Sequence, residues 1–144
     1  MDFDEYWHQL VDREDRGEVL SDAEDRFFRL SCIYGETMVD GIEAYFERRW
    51  AEYPADMAIL RECGFSDIAE SLDAVRRLIF GDSALDEETV SGRIDLLLDE
   101  TDEVRPILIE IEKIYQQLIP RLEALNDDNY QFGLEQGFYL GADI

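Results

Sequence analysis

The residues most able to do chemistry in this chain are carboxylates. Asp86, Glu87, Glu88, Asp95, Asp99, Glu100, Asp102 and Glu103 crowd one segment, with Arg93 the only base among them. A second cluster holds Asp2, Asp4, Glu5, Asp12, Glu14, Asp15 and Glu18, then Asp22, Glu24 and Asp25. Paired carboxylates can run acid–base catalysis. With 36 acids in the chain, however, a pair carries almost no information. The density itself says more. Helical carboxylates four residues apart rise about 6 Å along one face, while phosphates on a DNA strand rise about 3.4 Å per step. A helix can therefore hold a row of charge comparable to a duplex backbone. The plainer reading of any charge run is a solvated face.

Other chemistry lacks its parts. His8 is the only histidine, and Glu5-Tyr-Trp-His8 offers one Glu-x-x-His spacing where a di-iron bundle needs two. One histidine and two distant cysteines make no zinc cluster. Asp99-Glu-Thr-Asp-Glu103 and Asn126-Asp-Asp-Asn129 lack the alternating acids and central glycine of a calcium loop. Gly133-Leu-Glu-Gln-Gly137 is far from a phosphate loop. No cofactor and no catalytic residue is predicted, so the expectation is a non-enzyme.

The charge balance selects partners. Thirteen bases against 36 acids give −23, with a pI near 4.1. Such a field repels nucleic acid and anionic membrane and steers basic proteins inward. Twelve of the bases are arginine, and Lys113 is the only lysine. Cys32 and Cys63 sit in apolar helical patterns and read as buried, reduced thiols, which suits the cytoplasm. Met1-Asp-Phe-Asp-Glu5 lacks the basic and apolar regions of a signal peptide.

The elements that must position these acids are helices. The expected fold is a single all-α domain over 1–144, with about six to eight helices and 46% apolar residues for its core. Phe3, Tyr6, Trp7, Leu10 and Val11 share one helical stripe over 3–15, ended by Gly17. Ser21-Asp-Ala-Glu24 is a capping box, because serine oxygen and glutamate satisfy free N–H groups at a helix start. Gly35 and Gly41 sit where the following helix should bend or break, and the next should stop near Pro54. Met57–Cys63 reads as a short helix closed by Gly64. Another starts at Ser66 and closes at Gly81, and residues 81–86 form the most mobile loop. Residues 86–99 read as helical. Thr101 is expected to cap a longer helix that Pro120 kinks or ends, and 127–140 to make a last short helix.

The segment 20–82 resembles a bacterial family, domain of unknown function 4375, whose motif runs roughly Asn-Gly-Gly-Phe-x-Gln-Tyr-Phe. Glu36-Thr-Met-Val-Asp-Gly-Ile-Glu-Ala-Tyr-Phe46 supplies Gly41, Tyr45 and Phe46, with Ile42 in place of the motif Phe. Ile59-Leu-Arg-Glu-Cys-Gly-Phe-Ser-Asp-Ile-Ala69 is similar to the family's next helix, glycine turn and following helix. Val39, Asp40 and Ala44 depart from it. The resemblance implies an all-helical domain, and in one characterised member an acidic dimer that occupies the DNA-binding surface of a transcription factor. Fold membership does not transfer function.

Three expectations follow. The first is a non-catalytic DNA mimic that binds a basic DNA-binding protein through residues 86–103, its row extended across a homodimer, with no direct contact to nucleic acid or membrane. The second is an immunity-type inhibitor of a basic toxin. The third is a helical domain whose acidity is surface adaptation alone. Tyr6 and Trp7 are candidates for anchoring such a contact, with core packing as their alternative role.

Overall fold

A computed structural model describes residues 1–141. The protein is all-α. Its described residues form seven α-helices: α1 (Phe3–Asp15), α2 (Asp22–Asp40), α3 (Ile42–Arg49), α4 (Tyr53–Glu62), α5 (Ser66–Phe80), α6 (Glu87–Leu98) and α7 (Arg105–Glu135). A 3-10 turn, Trp50–Glu52, joins α3 to α4. No strand occurs among the described residues, and no helix in them is long and apolar enough to cross a membrane.

The N-terminal helix boundaries follow the expected chemistry. Asp2 caps α1 by accepting the Glu5 N–H at 2.8 Å. Ser21 and Glu24 close their box reciprocally, at 3.1 and 3.0 Å. At Gly41 the chain turns with φ +95°, a conformation that disfavours side chains, so α2 ends and α3 begins there.

Four boundaries differ from the sequence reading. Gly35 does not interrupt α2, because packing on α3, α4 and α7 outweighs one residue's poor propensity. Pro54 starts a helix rather than stopping one: it lies in the first turn of α4, where its missing N–H leaves no bond unmade. Thr101 supplies only its carbonyl, accepting from the Val104 and Arg105 N–H groups, and α7 starts with no side-chain cap. Pro120 neither ends nor divides α7, so the expected last helix is the end of this one. Pro120 is exposed, and so is Gln116, whose carbonyl would have received the missing bond and can turn to water instead.

Two hydrophobic clusters hold the helices. The larger joins α2 through α7 around Leu30, Ile33, Tyr45, Phe46, Leu72 and Leu122. The smaller is aromatic. Leu10 and the aromatic Tyr6, Phe27 and Tyr139 are its buried members, and Tyr6 stacks on Phe138 at 4.9 Å. Tyr6 is thus a core residue, and Trp7 is half-buried against Phe28. α7 serves both clusters. Near its end it presents Gly133 to Tyr139, whose ring occupies the space a Cβ would need. Tyr139 in turn donates to the Tyr130 carbonyl at 2.7 Å. The thiols of Cys32 and Cys63 are free and half-buried, and burial pushes the Cys32 thiol up to about 11.

One polar network lies inside this apolar frame. Asp56 is fully buried on α4. Its carboxylate accepts two bonds from Arg49, both 2.8 Å, one from the Tyr45 hydroxyl at 2.8 Å and one from Arg29 at 3.2 Å. Arg29 also donates to Glu52 at 2.7 Å and Asp25 at 3.0 Å. Burial pushes the Tyr45 hydroxyl well above its ordinary range, and the neighbouring Asp56 carboxylate adds to it. The network ties α2, α3, the 3-10 turn and α4 to one anion. Asp56→Ala leaves two guanidiniums with buried, unmatched donors and is expected to lower unfolding stability by about 3–5 kcal/mol. Tyr45→Phe removes one bond and should lower it by about 1–2 kcal/mol. Denaturant melts of the two variants check this order.

Candidate functional site

All eight acids of 86–103 are exposed, but folding uses them differently. Asp86 caps α6, accepting the Thr89 N–H at 2.7 Å. That bond holds the Asp86 carboxyl below its usual range. Glu87 and Glu88 occupy the first turn, where negative charge meets the positive end of the helix dipole. These three acids are placed to help start a helix.

The remaining acids are not. Val90, Ile94 and Leu97 form the buried face of α6. Glu88, Asp95 and Asp99 project from the opposite side, about 10 Å and then about 6 Å apart along the axis. Asp99 and Glu100 follow the helix C-terminus, where the dipole disfavours anions, and no base lies in the last turn. Glu100 also takes φ +48°, the only non-glycine residue with positive φ among those described. Asp102 and Glu103 continue the run. Among the described residues only Asp102 of the eight acids meets a base, Arg105 at 3.1 Å, and Arg93 meets no carboxylate.

Elsewhere the bases are taken up by the fold. Among the described residues, Arg61 and Arg93 are the only members of the thirteen that form no ion pair. The N-terminal acidic cluster is accordingly less free than its sequence suggests. Arg13 holds Glu24 through two bonds, at 2.5 and 3.1 Å, and Glu18 through a third at 2.9 Å. The Arg13 guanidinium depresses the Glu24 carboxyl to about 2, against partial burial. Asp25 pairs with Arg29, and Asp2 is a cap. Asp4, Glu5, Asp12, Glu14, Asp15 and Asp22 remain exposed without a cation among the described residues. His8 donates from Nδ1 to the Asp4 carbonyl at 2.8 Å, which leaves Nε2 outward.

The described residues contain no group of three or more His, Cys, Asp or Glu arranged to hold a metal ion. The acids are spread along helix faces instead of converging on one point. What this arrangement can do is present negative charge to a cationic surface. The buried Arg29–Asp56–Arg49 network was not legible as a unit. Its one signal was an aspartate beside the core residue Met57, in a helix that begins four residues earlier than the apolar pattern indicated.

Two outcomes test this division of labour. Glu100→Gly relieves a left-handed side-chain conformation and should raise stability by about 0.5–1 kcal/mol in thermal or denaturant melts. Glu24→Gln should lower stability at neutral pH by about 1–2 kcal/mol, since the pair is only partly exposed. The folded Glu24 carboxyl lies below its ordinary 4.5, so its contribution is complete above that value and disappears as pH falls towards 2. The gap between wild type and Glu24→Gln should close over that window.

No family model, no curated protein and no solved structure matches this chain.

Proposed function

We propose that the protein is a non-catalytic acidic interaction protein that uses α6 and the following turn to engage the basic, DNA-binding surface of another protein. The observation that carries this reading is the placement of Asp99, Glu100, Asp102 and Glu103. They sit beyond a helix C-terminus, with one exposed base nearby and one residue at positive φ. At Asp99 and Glu100 the α6 dipole and the backbone conformation oppose folding, so these two acids need a use outside the fold; Asp102 and Glu103 extend the charge into the turn ahead of α7, whose N-terminus favours anions. The outward row of Glu88, Asp95 and Asp99 supports the same reading. Its steps, about 10 and 6 Å, are close to three and two phosphate steps of about 3.4 Å.

The mechanism is electrostatic substitution. A DNA-binding surface carries arginines and lysines spaced for phosphates, and phosphate contacts supply most of its sequence-independent affinity. Carboxylates held by the fold can meet the same cations in place of phosphates. The net charge of −23 adds long-range steering, which raises association rates and falls with ionic strength. The resemblance of segment 20–82 to domain of unknown function 4375 is consistent with this proposal.

The test begins with capture of basic proteins from lysate of the source organism at low salt, followed by elution in a salt gradient. A captured DNA-binding protein is then purified and mixed with wild type and with the fourfold variant Asp95→Asn, Asp99→Asn, Glu100→Gln, Glu103→Gln. Association at low salt should slow about tenfold or more, with a smaller change in dissociation, and duplex DNA should compete. An unchanged association rate removes the segment from the interface. A nuclease that resists DNA competition would favour the immunity-type alternative. A smear of unrelated basic proteins leaving at modest salt would reduce the charge to surface adaptation.

A further inference from the structure

Trp50 stands where two concavities meet. The first, about 330 Å³, lies between α3 and α6, floored by Val90 and Ile94 and edged by Glu47, Glu87 and Asp95. The second, about 580 Å³, runs beneath the 81–86 turn and is walled by Tyr53, Pro54 and Leu85. Trp50 lines both, so they adjoin across its ring and together give a groove-like surface with an acidic half and an aromatic, apolar half. Trp50 packs on the core yet stays half-buried, with part of the indole open to the groove.

We propose that this groove docks a basic segment of the partner, one in which a large apolar side chain sits beside an arginine or lysine. The claim rests on the preceding reading, and it names the anchor of that interface.

Charge argues for this occupant. Glu47, Glu87 and Asp95 are exposed and have no ion-pair partner among the described residues. The cation on the apolar side, Arg76, is already matched by Asp73 at 2.9 Å. Asp73 also pairs with Arg77 and accepts from the Tyr53 hydroxyl at 3.0 Å, which fixes the Tyr53 ring against the wall. The groove's lining therefore carries three carboxylates without a partner against one cation, Arg76, which shares Asp73 with Arg77. An indole face beside carboxylates suits a guanidinium or ammonium, through cation–π attraction and charge together. The apolar half would take a hydrophobic side chain from water, giving the kind of desolvated centre that carries most of the energy of an interface. Neither half is selective alone. Screened carboxylates accept any cation, and an apolar slot accepts any hydrophobe.

The test uses the full chain carrying Trp7→Phe, so that Trp50 is the only indole. The probes are two synthetic peptides of equal charge, one alternating arginine with leucine and phenylalanine, the other replacing the apolar residues with serine. At physiological salt the apolar peptide should bind about tenfold more tightly than the serine peptide and shift Trp50 emission. Glu47→Gln, Glu87→Gln, Asp95→Asn together, all on the surface, should weaken it about tenfold. Neutralising Asp12, Glu14 and Asp15, which removes the same charge from α1, should leave it within about twofold. Trp50→Phe keeps the core contact and should weaken the apolar peptide selectively.

Equal binding of the two peptides, or equal loss in both charge variants, would overturn the groove in favour of a diffuse field. Trp50-dependent self-association in sedimentation would assign it to a second copy and overturn the proposal likewise. A captured DNA-binding protein that ignores the groove variant but responds to the fourfold 95–103 variant would reject the groove and leave the broader reading intact. Failure of both peptides and of every basic protein would reject both.

Discussion

Three helices converge on one buried anion. Asp56 is wholly out of water, and an isolated carboxylate there would be prohibitively unstable. It is tolerated because Arg49, Arg29 and Tyr45 together direct four donors at it. Each donor comes from a segment whose path depends on the bond. Arg49 ends α3, Tyr45 lies in its middle, Arg29 belongs to α2, and Asp56 sits in the first turn of α4. The tight run α3, 3-10 turn, α4 also buries Ile42, Phe46, Met57 and Leu60 in the main core. This network, with Phe46 and Met57 beneath it, fixes how that run folds back on α2. Such a network is unforgiving, since a half-matched version leaves buried charge unpaired.

The same chemistry accounts for the distribution of charge outside the core. Arginine is the base that binds carboxylates with two bonds at once, and twelve of the thirteen bases are arginines. Ten of the arginines are spent on pairs within the chain, among them Arg13 with Glu24, Arg29 and Arg49 with Asp56, and Arg121 with Asp67. Acids not needed by these pairs or by helix caps stay on the surface unmatched. Mutual repulsion among them opposes compactness, a cost that matters because net stability is a small remainder of large terms. At Asp99 and Glu100, just after α6, repulsion and the helix dipole act in the same unfavourable direction, and at Glu100 the backbone conformation adds to them. A surface so arranged is poised to release that repulsion on meeting a cationic partner, which is the physical content of the function proposed for it.

Long-range order comes from α7. With α2 it spans both hydrophobic clusters, so the aromatic group around Phe27 and the main core are not independent units. Asn129 links them through hydrogen bonds to the Phe27 carbonyl and Ser31, at 3.2 and 3.0 Å. The backbone bond from the Leu140 N–H to the Met1 carbonyl then closes the aromatic end over Phe3 and Tyr6. α6, by contrast, rests mainly on α3 and α5. It presents its outer face without competition from the long helix, and with α3 it forms one wall of the groove at Trp50.

Much of the fold was legible because it depends on neighbours in sequence. The stripes of α1, α2 and α5, the Ser21–Glu24 box and the break at Gly41 arise from spacing and local backbone chemistry, and the structure has them in place. The exposure of the eight acids was legible too, since a charge that dense cannot be buried. Local rules failed where tertiary packing opposed them. Gly35 and Pro120 read as breaks, yet contacts on both sides of each carry the helix through. The site divides in the same way. By itself the sequence determined an all-helical chain with an excess of carboxylates and a dense run at 86–103. Only the tertiary structure decided which acids are caps, which are matched by arginine, and which stand free beside Trp50, because pairing joins residues far apart in the chain and leaves no periodic trace.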